Sequence, residues 1–366
     1  MRLRIGFAYN EKPAEEAEPP SGAPPPGPPD LYAEWDDPAT IAAVEAALRR
    51  AGVVVRLPAD ADFPQRLRDA RPDIVFNLAE GLRGPNREAH VPAICEYYAI
   101  PYTGSDVGTL CLALDKRRAK EVFRARRIPT APFAVCGVDG AAVAAWGGGG
   151  EARAAGAGGV RAAVRRVGLP ALVKPLHEGS SKGIPERALC RTPEEVERRV
   201  AEVVESYGQP ALVERFLPGR EFTCAVLGTG RAARALPLVE VRFAALPAGA
   251  APIYGYEAKW VWDTTADPLD IFACPAEVEP PLAAAVERTA LTVYRALGCR
   301  DWGRVDLRLD ARGVPHVLEV NPLPGVLPDP RQNSCFPKAA RAAGLEYEAL
   351  ILRVLELALE RYGMSP

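Results

Sequence analysis

The chain has 366 residues, 48% of them hydrophobic and 25% charged, with a formal net charge of −2. That length exceeds one ordinary hydrophobic core and predicts two or three domains. The near-neutral balance argues against a broadly basic surface for nucleic acid or anionic membrane, and no apolar run reaches the length of a membrane span. The first residues, Met1-Arg-Leu-Arg-Ile-Gly-Phe-Ala8, lack a long apolar core and a small-residue cleavage site, so secretion is not expected. Cys95, Cys111, Cys136, Cys190, Cys224, Cys274, Cys299 and Cys335 are spread singly with no Cys-x-x-Cys pair. They read as small core residues in a reducing cytoplasm, not as a disulfide framework or a zinc site. With only His90, His177 and His316 available, a histidine-rich metal site is excluded, and His316 reads as a structural mid-strand residue.

In chain order, Leu3–Ala8 is a predicted strand, Ala39–Ala51 a helix, Val53–Leu57 a strand and Asp73–Asn77 another. The helix carries Ile41, Val44, Leu48 and Ala51 at helical spacing, with Asp37 as N-cap and Pro38 at its first position. Short apolar strands alternating with helices predict an open, mainly parallel sheet. Pro13–Asp30, rich in Pro, Glu and Gly, cannot build a core and reads as an extended or disordered loop. A second unit begins near Arg127. It holds the Gly/Ala tract Gly147–Gly159, a strand Ala171–Lys174, a Gly/Ser turn, a helix Pro193–Tyr207 and a strand Ala211–Phe216. From Pro218 several strands lead to a long helix Ala276–Leu297, a hairpin and a terminal helix Tyr347–Tyr362.

Chemistry concentrates in four places. Lys174 ends a strand that feeds Glu178-Gly-Ser-Ser-Lys-Gly183, where glycines free the backbone to aim N–H groups at an anion and serines add donors. This is either a phosphate lid or an ordinary turn, and it is not a P-loop, because the lysine precedes the glycines. Glu214 and Glu221 flank the Pro218-Gly219 turn. They are either surface acids or acceptors for a base amino group and ribose hydroxyls. Tyr254-Gly-Tyr-Glu-Ala-Lys259-Trp260 is an aromatic loop that covers a site or packs on the sheet.

The hairpin is the fourth. Side chains alternate along a strand, so Arg304 shares a face with Asp306 and Glu319 with Asn321. With Ala311-Arg312 as a two-residue tip, Arg304 would lie opposite Glu319 and Asp306 opposite Val317, with Val305 and Val320 on the other face. A cation, two carboxylates and an amide on one face are expensive to bury alone, and three hard oxygen donors suit Mg²⁺ with substrate phosphates. A plain solvated face is the competing reading.

Together these segments resemble the ATP-grasp superfamily, and within it the D-alanine–D-alanine ligases, from about Asp73 to Leu355. The resemblance rests on Lys-Pro-x-x-Glu-Gly-Ser-Ser-x-Gly from Lys174, Tyr-x-Tyr-Glu-Ala-Lys ending at Lys259, Gly-Arg-Val-Asp ending at Asp306, and Leu-Glu-Val-Asn-x-x-Pro-Gly ending at Gly325. Asp115-Lys116-x-x-x-Lys120, Ile100-Pro-Tyr-Thr-Gly104 and Phe336-Pro337 agree as well. It implies an α/β ATP-grasp fold: an N-terminal domain over 1–126, a central lid subdomain over 127–217 carrying the Gly/Ala-rich 147–159, and a C-terminal subdomain over 218–366, the last two sandwiching ATP. Lys116 and Lys174 would contact ATP phosphates, joined by Ser181, while Glu214 would bind adenine and Glu221 ribose. Lys259 would approach the γ-phosphate. Asp306, Glu319 and Asn321 would hold two Mg²⁺ ions, with Mn²⁺ as the alternative, and Arg304 would steady the oxyanion. Ser180 would orient the first substrate, with Trp260 beside it, and Ser334 and the Gly325 backbone would lie near the second substrate and the acyl phosphate. The implied activity is ATP-dependent ligation of a carboxylate to an amine, with ADP and phosphate released. The implied partners are small amino-acid or carboxylate substrates, without nucleic acid or membrane, in a protein that could form a homodimer.

The departures from the family pattern cluster at substrate positions. The family's first strand is usually followed by Gly-Gly-x-Ser-x-Glu, whose glutamate helps hold the first substrate's ammonium. Here the strand runs into Tyr9-Asn10-Glu11-Lys12, and the nearest acids are Glu34, Asp36 and Asp37, which serve either the helix start or the substrate. Trp260 stands where a tyrosine normally follows the loop lysine. Pro322 follows Asn321, and Val326–Asn333 is longer than usual before Ser334. The expectation is therefore a ligase whose two amino acids need not both be D-alanine. The rivals are an ATP-grasp enzyme of a specialised pathway acting on a peptide or other carboxylate, and a nucleotide-binding regulatory protein without catalysis.

Overall fold

The computed structural model describes residues 2–13, 28, 30–137, 157–264 and 267–364. Most of the Pro-rich segment and the Gly/Ala tract up to residue 156 therefore lie outside the described residues. Leu3–Tyr9 (β1), Gly52–Pro58 (β2) and Ile74–Asn77 (β3) form a parallel sheet in the order β2-β1-β3. The last five residues of β1 are buried, as expected of a strand covered on both faces. The first helix, Pro38–Ala51, starts where the sequence signals it: Asp37 Oδ1 accepts from the Thr40 N–H at 2.6 Å and Pro38 opens the first turn.

Phe133–Cys136 (β4), Ala171–Pro175 (β5), Leu189–Cys190 (β6) and Ala211–Arg215 (β7) form an antiparallel sheet in the order β4-β7-β5-β6. Helices Ala157–Val167 and Pro193–Tyr207 back it, sharing a core with Val173, Ala211 and Val213. The second helix has sharp limits because Thr192 and Glu195 form a reciprocal capping box and Gly208 ends it in the left-handed conformation. The first begins inside the Gly/Ala tract, where composition predicted no element.

Glu221–Leu227 (β8), Arg234–Ala235 (β9), Val239–Val241 (β10), Phe272–Ala273 (β11), Trp302–Leu309 (β12) and Pro315–Asn321 (β13) form the third sheet, ordered β11-β10-β8-β12-β13 with β9 on β8. Its faces divide cleanly. Phe222, Cys224, Val305, Leu307, Val317 and Val320 pack on helix Pro280–Leu297 through Val286, Ala290 and Tyr294. Glu221, Thr223, Arg304, Asp306 and Glu319 turn the other way, into a cavity. The long helix starts at Pro280 rather than Ala276, because Pro280 takes its first position after Glu279.

The expected register of the β12–β13 hairpin requires correction. Arg304 pairs with Asn321 and Asp306 with Glu319, whereas Leu307 pairs with Val317. The turn is one residue longer than a two-residue tip: the Asp310 N–H donates to Val314 O, and Gly313 sits at φ +78°. A bulge at Leu318 then inserts one further residue. The two one-residue offsets cancel in parity, so the four polar side chains still share one face.

The first and third sheets are joined by one core. Ile5, Phe7, Val44 and Leu48 pack with Phe336, Leu350, Val354 and Leu355 of the C-terminal helices. Trp302, fully buried, meets Phe76 at 5.9 Å and Phe336 at 5.8 Å between ring centres. Such aromatic pairs add about 0.5–1.5 kcal/mol each beyond area burial, and here they fix β12, and with it Arg304 and Asp306, against the N-terminal sheet.

Candidate active site

The cavity between the second and third sheets, about 220 Å³, is lined by Lys174, Ser180, Ser181, Glu214, Glu221, Lys259, Trp260, Arg304, Asp306, Glu319, Gly325 and Ser334. A smaller cavity of about 70 Å³ shares Ser180, Arg304, Glu319 and Gly325 with it and adds Lys116 and Asn321. Every site residue expected from the sequence thus lines one of two adjoining spaces.

Asp306 is the most heavily contacted group of the metal-site wall. Arg304 Nη2 donates to Oδ2 at 2.9 Å, Thr223 Oγ1 to Oδ1 at 2.8 Å, and Asn321 Nδ2 to Oδ2 at 3.1 Å. Thr223 reaches it because β8 pairs Thr223 directly with Asp306. Glu319 has one ion-pair partner, Lys116 at 3.7 Å. Burial raises its carboxyl pKa, but Lys116, Lys174 and Arg304 outweigh that and hold the group below its ordinary value. Among the described residues no cluster of three or more His, Cys, Asp or Glu is placed to hold an ion by itself. The donors present fit a hard cation completed by phosphate oxygens: two carboxylates, one with open oxygens, and an amide whose oxygen is left over.

The lysines have separate settings. Glu214 lies at 2% exposure between Lys120, 2.8 Å from Oε2, and Lys174, 2.7 Å from Oε1. Burial opposes its charge, yet the two ammonium groups hold its pKa down at about 2. The expected adenine acceptor therefore has both oxygens engaged by lysines. Lys120, which also donates to Thr130 Oγ1 at 2.8 Å, was visible only as part of the Asp115–Lys120 pattern. Glu221 pairs with Arg308 at 3.0 Å, and burial pushes its carboxyl up to about 7. Arg308 sits between the Phe216 and Phe243 rings, at 4.4 and 4.6 Å. Its alternation with Arg304 and Asp306 along β12 was the signal for it. Lys116, at the first position of its helix, donates to the Glu178 carbonyl. Lys259 differs from these lysines: no carboxylate lies within ion-pair distance among the described residues, and burial with Arg304 nearby lowers its pKa to about 8.

The two loops are stitched together. Ser180 and Ser181 both hold left-handed backbones, at φ +48° and +61°, an unfavourable conformation for serine that persists only where surroundings impose it. Ser181 Oγ donates to Tyr254 O at 2.8 Å, Tyr256 N to Ile184 O at 2.8 Å, and Trp260 Nε1 to Ser180 O at 3.2 Å. The indole that replaces the expected tyrosine thus bonds one loop to the other. Ser334 Oγ accepts from Leu327 N and donates to Gly325 O at 3.3 Å, pinning the turn that follows Asn321.

Of the three N-terminal acids, Asp37 caps its helix. Asp36 lines the cavity, where burial and neighbouring Asp37 push its carboxyl up to about 7. Glu34 lines both cavities and is engaged by the protein's own cations. It binds Arg87 Nη2 at 2.8 Å, Lys182 Nζ at 3.2 Å and the Gly179 N–H at 2.7 Å. Glu178 closes the network onto the same two cations, at 3.2 Å from Arg87 and 2.5 Å from Lys182. Burial alone would raise the Glu34 pKa, but Arg87 and Lys182 bring it to about 2. Arg87 and Lys182 were not singled out in the sequence, and their distance along the chain from Glu34 left no local signal.

A cavity between two sheets, with lysines on one wall and a carboxylate pair on the other, fits an ATP-dependent ligase of the ATP-grasp class. The model of the family described as D-ala D-ala ligase C-terminus matches residues 150–356. A D-alanine–D-alanine ligase of Bordetella avium (strain 197N) is 34% identical over 86% of this chain and 87% of its own. A Sinorhizobium fredii protein named only as uncharacterized is 35% identical over 79% of this chain and 75% of its own. In fold, the chain is similar to a Bacillus anthracis D-alanine–D-alanine ligase complexed with ATP, with TM-score 0.67, 20% identity and 99% of each chain covered. The chain belongs to the D-alanine–D-alanine ligase family and is an ATP-dependent carbon–nitrogen ligase that uses ATP and Mg²⁺. Its substrates are small molecules, and among the described residues no helix is long and apolar enough to cross a membrane.

Proposed function

We propose that this enzyme joins an amino-acid carboxylate to an amine through an acyl phosphate, with a substrate pair other than two D-alanines. The observation that carries the reading is Lys259, a desolvated ammonium set over the Trp260 ring with no carboxylate within ion-pair distance among the described residues, in the same cavity as the Arg304–Asp306–Glu319 wall. A cation without a carboxylate partner, beside two carboxylates suited to a metal, fits a triphosphate that completes both.

In the first step a substrate carboxylate oxygen attacks the γ-phosphorus and ADP leaves. In the second an amine attacks the resulting carbonyl, the C–O bond to phosphate breaks, and the nitrogen loses a proton. Asp306, Glu319 and Asn321 are the residues that would hold Mg²⁺, whose chemistry there is to neutralise phosphate charge. Lys174, ordered by Glu214, and Lys116 bind phosphate oxygens. Lys259 neutralises the γ-phosphoryl group, and Arg304 donates to the oxyanion of the tetrahedral carbon, so positioning and electrostatics supply most of the rate. Ser180, Ser181 and Trp260 hold the two loops together over the acyl phosphate and exclude water. Glu221 takes the ribose, and Ser334 sets the Gly325 backbone near the second substrate.

The three-unit division 1–126, 127–217 and 218–366 belongs to this reading; it is supported by each sheet falling within one unit. The cytoplasmic setting rests on eight unpaired cysteines, and the homodimer on the resemblance alone. The altered specificity rests on Glu34, whose oxygens are taken by Arg87 and Lys182, and on Trp260 in place of tyrosine. Phosphate release and ligated product, measured with amino acids of both chiralities singly and in pairs, test it. The expected result is ATP-dependent product from a pair other than two D-alanines, and turnover with D-alanine alone as fast as with any pair would overturn the specificity claim.

A further inference from the structure

Arg308 has no part in the phosphate or carbonyl chemistry above, yet it shares a strand face with Arg304 and Asp306 and lines the same cavity. Its side chain is 5% exposed, and its guanidinium lies between the Phe216 and Phe243 rings, 4.4 and 4.6 Å from their centres. Nη1 donates to Glu221 Oε2 at 3.0 Å and to Pro252 O at 2.8 Å. The strand register supplies the pairing, because β8 sets Glu221 directly opposite Arg308. The second oxygen of Glu221, Oε1, has no hydrogen bond among the described residues, and this side chain, 15% exposed, lines the cavity as well. The pair is therefore fixed on its inner side and open on the side of the cavity.

We propose that Arg308 is a positioning residue for the nucleotide: held between two rings, it pins Glu221 Oε2, presents Oε1 to a ribose hydroxyl, and so makes the site selective for a ribonucleotide over a deoxyribonucleotide. The inference rests on the reading above, in which Glu221 takes the ribose, and adds the residue that aims it. A planar guanidinium suits the task, since it stacks on aromatic rings while its N–H groups hold an acid and a carbonyl together. A lysine ammonium has no face to stack. A buried ion pair stabilises a fold little better than apolar groups of the same volume. An open acceptor on such a pair, facing a cavity, points to a ligand that brings a donor, and a ribose hydroxyl is one.

Calorimetry on the full-length enzyme with Mg²⁺ tests it, using ADP and dideoxy-ADP, which lacks both ribose hydroxyls. Wild type should bind ADP about tenfold or more tightly than dideoxy-ADP, the value of one charge-assisted hydrogen bond. Arg308→Met should bring that preference below about threefold while dideoxy-ADP affinity holds within about twofold. Glu221→Gln and the Arg308→Met/Glu221→Gln double variant should bind ADP equally, because Arg308 acts only through Glu221. That comparison decides the matter if Arg308→Met, which strands a buried carboxylate, fails to fold. An undiminished preference in Arg308→Met would overturn the inference, as would equal weakening of both nucleotides, which a merely structural role predicts. No preference in wild type, or weaker ADP binding by the double variant than by Glu221→Gln, would overturn it as well. Each of these leaves the ligase reading standing, since ligated product tests that separately. Loss of the preference in Arg308→Met, with no product from any pair of substrates, would uphold Arg308 and defeat the ligase reading.

Discussion

Asp306→Asn is expected to lower kcat/KM by about a thousandfold, roughly 4 kcal/mol of transition-state stabilisation. The substitution keeps the shape of the side chain and removes its charge. Asp306 now receives Arg304, Thr223 and Asn321 together. An amide at that point would turn a donor toward at least one of these donors and offer an ion a single neutral oxygen. The loss should appear in kcat and in the Mg²⁺ concentration needed for half activity, more than in the KM for the carboxylate substrate. Circular dichroism should be unchanged. A fall of less than tenfold, with the Mg²⁺ dependence intact, would remove Asp306 from the metal site.

Glu214→Gln is expected to cost about 3–5 kcal/mol of stability, the usual penalty for stranding buried charge. Glu214 is 2% exposed and stands between Lys120 and Lys174, whose side chains are 1% and 5% exposed. Two ammonium groups would be left facing a neutral amide. Chemical denaturation reads the loss, and Lys120→Met combined with Glu214→Gln should lose less than the two single losses summed, because the interaction is shared. The sign with pH follows from the depressed pKa. Glu214 in the folded protein titrates at about 2, below its ordinary value of 4.5. Its contribution is therefore complete above about 4.5 and is lost as the pH falls toward 2, and the variant should show none of that dependence.

Local signals carried much of this fold. The helix Pro193–Tyr207 was legible to its end residues because Thr192, Glu195 and Gly208 mark both ends chemically. The facing of Arg304, Asp306, Glu319 and Asn321 was legible although the register was not. Strand parity survives an extra turn residue and an extra bulge residue together, while neither leaves a clear trace in composition. What stayed hidden was long-range electrostatics. Glu34 meets Arg87 across 53 residues and Lys182 across 148, and no periodicity connects them. Trp260 was visible as a departure, but only the backbone of Ser180 shows what its N–H binds.

The central claim is that a carboxylate is activated by phosphoryl transfer in the cavity of Lys259 and Arg304. Transfer of heavy oxygen from a labelled carboxylate substrate to released phosphate measures that step directly. The account predicts one carboxylate-derived oxygen in each phosphate formed, in step with ligated product. Phosphate carrying oxygen from water alone would mean that ATP is merely hydrolysed, and would contradict the acyl-phosphate ligase.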